Sequence, residues 1–166
     1  LAYALGEQEF KAVYFDNKIK GFITSLPVVT NIPRARIQGW TLSYEGRLGA
    51  FGMRSALDIL DARNTLTGQK LPRRADQQLT AGIDYATGLW KFGATALAAS
   101  ERFDTIANTT RLAGFTTLDL HADYALNKDW SVQARVNNLN DKLYQTASGY
   151  NQQGRAAYLT LRYQPK

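Results

Sequence analysis

Cysteine is absent from the 166-residue sequence, and histidine occurs once, at His121. Without cysteine the chain forms no disulfide bond and no thiolate metal site, and one histidine rules out a histidine-rich metal cluster made by this chain alone. A large excess of one sign of charge is also absent, because the 20 Lys and Arg residues are nearly balanced by 14 Asp and Glu residues. The net charge is +6, and the charged residues are scattered along the chain. Nucleic-acid binding usually needs a basic stripe or patch, so the composition does not favour it.

Long apolar runs are missing too. No window of about 18 apolar residues occurs, so the sequence predicts no transmembrane helix. Residues 1–10 have neither the basic start nor the apolar block of a signal peptide, which for an exported protein means that the leader has been removed. The chain begins without Met and in mid-pattern, and we therefore expect a fragment of a longer protein.

What the sequence does contain is alternation of apolar and polar residues with a period of two. This is typical of strands whose two faces meet different surroundings. In the last hairpin one row is apolar and the other carries Arg135, Gln133 and hydroxyls. In the first strand we place Val13, Phe15, Ile19 and Ile23 in the apolar row. The sequence thus predicts an all-β fold, an antiparallel up-and-down meander of about eight strands at residues 11–24, 35–45, 51–61, 77–86, 90–100, 115–125, 130–137 and 157–163.

The predicted connections alternate between short turns, at 46–49, 87–89 and 126–129, and longer loops, at 26–33, 62–76, 101–114 and 138–154. Transmembrane β-barrels of the outer membrane show this asymmetry. Aromatic residues lie beside the short turns, always in the apolar row. Tyr and Trp collect where a membrane meets water. We therefore predict a row of membrane-interface aromatics: Tyr44, Phe51, Tyr85, Trp90, Tyr124, Trp130 and Tyr163.

A soluble antiparallel barrel with its apolar rows inside is the alternative that alternation alone leaves open. Such a core does not require aromatics at one end of every strand. Polar rows containing Arg54 with Asp58, or Asp119 with His121 and Asp123, among Gly, Thr and Ser suit a water-filled or plugged lumen. The pattern therefore favours part of a transmembrane barrel wall.

Four segments resemble TonB-dependent outer-membrane receptors. Residues 136–144, Val-Asn-Asn-Leu-Asn-Asp-Lys-Leu-Tyr, resemble the family's late Asn-Leu-Phe-Asp-Lys-x-Tyr signature, and residues 149–155 resemble its Gly-Tyr-x-x-x-Gly-Arg stretch. Residues 35–39 resemble the Ala-Arg-x-x-Gly strand, and residues 61–74 resemble a loop between two late strands. Asn140 stands where the family usually has Phe, and Thr41 where it has an acidic residue.

This resemblance, closest to the cobalamin (vitamin B12) receptors and then to siderophore receptors, implies a function. The family has about 22 strands around an N-terminal plug, so residues 1–166 would be the C-terminal part of the barrel, without the plug and early strands. The whole protein would import cobalamin or an iron-siderophore across the outer membrane of a Gram-negative bacterium. Its partners would be lipid, the ligand and, through the plug, the TonB complex. The resemblance implies no cofactor and no enzymatic activity. The alternative is a self-contained eight-stranded outer-membrane or lipocalin-like binding barrel.

Loop residues are the candidate site. Arg73 and Arg74 could meet an anionic ligand or lipopolysaccharide phosphate, or be a solvated pair. Amides and an aromatic ring in the last loop give adaptable hydrogen bonding and stacking area for a large polar ligand, or are polar only because the loop is outside. These residues are Tyr150, Asn151, Gln152 and Gln153.

Two further groups have a structural and a chemical interpretation. Asp141, Tyr144 and Arg155 either line the ligand mouth or, as we favour, form a hydrogen-bonded clamp that closes the final hairpin, with Arg155 gripping a carboxylate bidentately. The row of Asp119, His121 and Asp123 suggests metal or acid–base chemistry, including an outer-membrane hydrolase. We favour a polar lumen row and predict neither a metal site nor a catalytic residue.

Overall fold

The computed structural model describes residues 1–24 and 29–165, and this part of the chain has thirteen β-strands and no helix. Among these residues no helix is long and apolar enough to span a membrane. The strands are β1 Ala2–Leu5, β2 Gln8–Thr24, β3 Thr30–Leu48, β4 Phe51–Asn64, β5 Gln77–Thr87, β6 Trp90–Ala99, β7 Arg102–Phe103, β8 Arg111–Leu112, β9 Phe115–Ala125, β10 Trp130–Asn137, β11 Gln145–Ala147, β12 Tyr150–Asn151 and β13 Ala156–Tyr163.

Nine strands form one antiparallel sheet in the order β1-β2-β3-β4-β5-β6-β9-β10-β13. Each strand of this sheet pairs with the next sheet strand along the chain. Two short ribbons, β7 with β8 and β11 with β12, lie in the long loops and are separate from the sheet. The predicted antiparallel meander is therefore confirmed. The alanine-rich segment after Trp90, which helix propensity alone would favour as a helix, is strand β6.

The first hairpin and the second loop differ from the prediction. Strand β1 pairs with β2 from Ala2↔Lys11 to Leu5↔Gln8, which adds a ninth strand at the edge. Strand β3 begins at Thr30 and includes Pro33, so part of the predicted loop 26–33 is strand. Residues 25–28 of that loop lie outside the described residues. The turn predicted at 46–49 is shorter, because β3 continues to Leu48 and Gly49 takes a φ of 60°.

Cross-strand register defines two faces, because directly paired residues point to the same side of a sheet. Val132 pairs with Tyr124 on one side and with Leu161 on the other, and this row continues through every strand. We call this side the apolar face. The opposite side, on which Gln133 pairs with Asp123 and with Thr160, is the polar face.

The predicted orientation of the first strand was wrong. Tyr14 pairs with Trp40, with ring centroids 5.2 Å apart, so the even residues of β2 lie on the apolar face. Phe15 pairs with Gly39 on the polar face, where a Cβ added to Gly39 would lie 3.1 Å from the Phe15 ring. Both rows of β2 contain apolar residues, and periodicity alone therefore could not distinguish them.

The apolar face is not the interior of a closed core. Its large side chains are exposed, including Ile83 at 43 %, Leu161 at 61 % and Leu159 at 78 %. Val132 and Leu118 are half-buried. A continuous exposed apolar surface of this extent must be covered by a partner or by lipid, so the dry interior required by a soluble barrel is absent from the described residues.

The buried hydrophobic cluster lies instead at the loop end of the sheet. Leu71, in the loop between β4 and β5, is 1 % exposed and packs with Ile32, Ala35 and Ala62. Ala35 and Ala62 lie on the polar face, and the Leu71 amide donates to the Ala62 carbonyl at 2.8 Å. The long loop therefore folds inward over the polar face, which positions the candidate site.

Candidate functional site

A chain of polar contacts crosses the polar face in mid-sheet. Arg54 on β4 forms an ion pair with Asp84 on β5 at 2.5 Å, and His121 Nε2 on β9 lies 3.6 Å from carboxylate oxygens of both Asp84 and Asp123. Gln133 on β10 donates to Asp123 at 2.7 Å. These charges are therefore satisfied largely within the wall, which favours the interpretation as a polar lumen row.

The row of Asp119, His121 and Asp123 does not act as one unit. Asp119 accepts the Asn138 backbone amide at 2.7 Å, whereas His121 lies 3.6 Å from Asp123. Across residues 1–24 and 29–165, no group of three or more His, Cys, Asp or Glu residues is arranged to hold a metal ion. The contacts of His121 are carboxylates rather than a hydroxyl nucleophile.

Arg73 holds two long loops together. Its Nε donates to Asp104 Oδ1 at 2.7 Å and its backbone amide donates to the Phe103 carbonyl at 2.6 Å, while Asp104 is 8 % exposed. Nearby, Asn108 accepts the Lys70 amide at 2.8 Å and donates to the Lys70 carbonyl at 2.9 Å. The loops 65–76 and 100–114 are thus joined, and the contacts at Arg73 favour a structural role.

Arg74 has a different environment. Its guanidinium lies 4.9 Å from the centroid of the Phe22 ring and donates to the Pro72 carbonyl at 3.1 Å, with no carboxylate partner among the described residues. Burial lowers the pKa of Arg74 from its ordinary value. The Arg102 guanidinium lies 5.3 Å from the centroid of the Phe115 ring, and burial lowers the pKa of Arg102 as well. Its Nε has no hydrogen-bond partner in the described chain.

The four predicted contact residues of the last loop differ in availability. Tyr150 is 67 % exposed, so its ring is free to stack. Asn151 Oδ1 accepts the Gln145 side chain at 2.7 Å, and Gln152 Nε2 donates to Thr146 at 3.1 Å. Gln153 Oε1 accepts the Tyr158 hydroxyl at 3.0 Å. Each amide thus keeps part of its hydrogen-bonding capacity.

The predicted clamp has a different geometry from the one expected. Asp141 Oδ1 accepts the backbone amide of Arg155 at 2.8 Å, while the guanidinium lies 3.9 Å from the other oxygen and near the Leu139 carbonyl. Tyr144 is not in this contact and stacks on Phe115 with centroids 3.9 Å apart. The three residues therefore join the last loop to the sheet at two separate points.

The Asn138 side chain makes three hydrogen bonds within the loop between β10 and β13, and the sequence analysis did not single it out. It is 5 % exposed, its Nδ2 donates to the carbonyls of Lys142 and Gln153 at 3.0 and 3.1 Å, and its Oδ1 accepts the Lys142 amide at 2.9 Å. Its φ of 49° is a value that Asn tolerates better than most residues. An Asn directly after a strand and before Asp141 was the signal available in the sequence.

The predicted interface aromatics lie on the apolar face beside the short turns. Tyr44 contacts Phe10 on β2, with centroids 4.9 Å apart, which extends the row by a residue that we had not predicted. The remaining six form three cross-strand pairs at centroid separations of 4.8, 4.6 and 4.7 Å: Phe51 with Tyr85, Trp90 with Tyr124, and Trp130 with Tyr163.

These features, a two-faced antiparallel sheet with aromatics at one end and long inward-folding loops at the other, define a barrel-wall protein. Residues 3–139 match the family described as TonB dependent receptor-like, beta-barrel, and the chain belongs to this family. The predicted resemblance is therefore confirmed, and the family is one of receptors rather than enzymes.

Among individual relatives, the chain is 31 % identical over 133 residues to the vitamin B12 transporter BtuB of Photobacterium profundum, covering 80 % of this chain and 22 % of that protein. Among solved structures, the siderophore receptor PiuA from Acinetobacter baumannii aligns with a TM-score of 0.80 at 21 % identity, covering 95 % of this chain and 26 % of that one. The copper transporter OprC aligns with a TM-score of 0.80 at 20 % identity, covering 98 % and 29 %. The chain thus spans between a fifth and a third of each relative.

Proposed function

We propose that residues 1–166 are the late barrel strands of an outer-membrane, TonB-dependent receptor that imports a scarce bulky nutrient, cobalamin or an iron-siderophore. The observation that carries this proposal is the pairing of an exposed apolar face with a polar face that satisfies its own charges. The Arg54–Asp84 ion pair lies on one side of the sheet, and Ile83, 43 % exposed, lies on the other. Lipid outside and water inside account for both.

The proposed partners follow from this arrangement. The apolar face contacts outer-membrane lipid of a Gram-negative bacterium, with the aromatics from Tyr44 to Tyr163 at the membrane boundary. The polar face lines the lumen. The TonB complex acts through a plug supplied by another part of the receptor. Nucleic acid has no role, since the net charge of +6 is scattered along the chain.

The proposed ligand contacts lie at the loop end. Arg74 has no carboxylate partner in the described residues, and Tyr150 exposes its ring, so both are available to a bulky ligand. Asn151, Gln152 and Gln153 add amide groups at the same end. Arg73, paired with Asp104, contributes by holding the loops in position.

The rival function, a self-contained small barrel, is not supported by the sheet. A closed barrel requires its first and last strands to pair. Among the described residues β1 and β13 are the two edges of an open sheet and do not pair with each other. Open edges of this kind need a neighbouring strand, which the rest of a larger barrel supplies.

Uptake measurements test the proposal. The intact protein that contains this chain is expressed in an outer-membrane receptor-deficient strain, and uptake of labelled cyanocobalamin and of ferric siderophores is followed with and without a functional TonB. We expect saturable uptake of at least one ligand that requires TonB. Recovery of the protein from the soluble fraction, or no binding of either ligand class, would refute the proposal.

A further inference from the structure

A recess of about 430 Å³ lies on the polar face at its loop end. Strands β5, β6, β9 and β10 form its floor, and the last loop folds over it as one wall. This volume lies within the range of small-molecule sites, about 300–1,000 Å³. The polar groups that matter here belong to Thr80, Thr95, Thr117, Asn137, Gln152 and Gln153.

The lining is polar, and the single charged side chain in it is a carboxylate. No Lys or Arg lines the recess, and its one carboxylate, Asp119, is engaged by the Asn138 amide at 2.7 Å. An anionic ligand group would lose its hydration here without gaining a counterion, and that transfer is costly. Hydroxyls and carboxamides instead donate to and accept from a neutral ligand.

Several of these groups lack hydrogen-bond partners. The Asn137 carboxamide oxygen is buried and accepts no hydrogen bond from residues 1–24 and 29–165. Thr117 is 7 % exposed, and neither its hydroxyl nor that of Thr80 is hydrogen-bonded to a described residue. The Asn137 oxygen is enclosed by the wall and is not presented to a ligand, whereas the Thr80 and Thr117 hydroxyls give the recess hydrogen-bonding capacity that the described wall does not use.

The loop wall of the recess is fixed before any ligand arrives. The Asn138 side chain donates to the Gln153 carbonyl at 3.1 Å, and the backbone amide of Gln152 donates to the Tyr144 carbonyl at 3.0 Å. The Tyr144 ring in turn stacks on Phe115 at 3.9 Å. A preorganised wall reduces the entropy that ligand binding would otherwise lose.

We infer that this recess is a subsite for a neutral, carboxamide- or hydroxyl-bearing part of the imported ligand, and that it selects against anionic ligands. This inference rests on the proposed receptor function and narrows it, because it assigns the subsite to the uncharged class among the bulky nutrients.

The test uses the intact protein in detergent and two probes, cyanocobalamin, which carries neutral carboxamides, and ferric enterobactin, which is anionic. Thr117→Val and Thr80→Val each remove one lining hydroxyl at nearly constant volume. We expect each variant to weaken cyanocobalamin binding about three- to tenfold, the effect of one neutral hydrogen bond. Thr117→Ser retains the hydroxyl and should bind like the wild type. Thr160→Val, on the same face in β13 but outside the recess, is the matched control.

Each other outcome is decisive. Unchanged cyanocobalamin affinity in both variants overturns the subsite and leaves the receptor function standing. Wild-type binding of ferric enterobactin but not of cyanocobalamin does the same. Equal loss in Thr117→Val and Thr117→Ser, with a lowered thermal midpoint, assigns the residue to packing and also overturns the subsite. Binding of neither probe by the wild type refutes the receptor function together with the subsite.

Discussion

Replacing Asn138 with Ala should release the last loop from the sheet. The wild-type side chain makes three hydrogen bonds, to the Lys142 carbonyl, the Gln153 carbonyl and the Lys142 amide, at a site that is 5 % exposed. Each contributes about 1 kcal/mol net, so their loss destabilises the closed loop by about 3 kcal/mol. The positive φ of 49° adds strain for Ala. We therefore expect the opening equilibrium of the loop to rise by about a hundredfold or more.

Hydrogen exchange of the intact protein in detergent measures this opening. The informative amides are those of Lys142, Gln152 and Arg155, which are hydrogen-bonded within the loop. Asn138→Gly removes the same hydrogen bonds without the strain of a positive φ, and it separates the two contributions.

Asn151→Ala is the matched control for this experiment. It lies in the same loop and loses a single contact, from the Gln145 side chain at 2.7 Å. Its exchange at Lys142 and Arg155 should therefore stay within a few-fold of the wild type. Equal protection of the loop amides in Asn138→Ala and the wild type would refute the assignment of Asn138 as the anchor.

Three further predictions concern the wall, the paired loops and the membrane. Gly93→Ala would place a Cβ 2.1 Å from the His121 ring, so we expect the free energy of unfolding to fall by about 1–3 kcal/mol. The midpoint of denaturant unfolding measures this change, and an unchanged midpoint would contradict the contact. Arg73→Ala leaves the buried Asp104 carboxylate unpaired, so we expect protease cleavage between residues 100 and 114 to become faster. Combining Arg73→Ala with Asp104→Ala removes the unpaired charge and should restore part of the protease resistance. Trp130 faces outward on the apolar face, so brominated lipids should quench its fluorescence in vesicles, and an unquenched Trp130 would contradict the lipid assignment.

The sheet could be predicted from the sequence because each strand lies between two surroundings that select different residues. Val132 and Gln133 are adjacent in the chain and lie on opposite faces, and this alternation overrides helix propensity even in the alanine-rich β6. The prediction failed where the contrast is weak. In β2 both Tyr14 and Phe15 are apolar, so nothing local indicated which one faces the apolar side.

The candidate site was harder to predict because its contacts join distant parts of the chain. Arg73 is 31 residues from Asp104, and the interpretation of a solvated pair or an anion site used only local charge. The clamp residues Asp141 and Arg155 do meet, but through a backbone amide that no side-chain pattern specifies. The sequence placed these residues in loops at one end of the sheet, whereas the contacts of individual side chains required coordinates.

Asn140 shows how a departure from a family pattern is explained by structure. Its Nδ2 donates to the Thr116 carbonyl at 2.8 Å and its Oδ1 accepts the Leu118 amide at 3.1 Å, so the side chain pairs with the backbone of β9 beyond the end of β10. The Phe usual at this position has no such groups. Asn138 and Asp141, with φ of 49° and 50°, turn the chain on either side of it. The segment that most resembles the receptor signature therefore ends the strand, extends its pairing through one amide and directs the last loop over the polar recess.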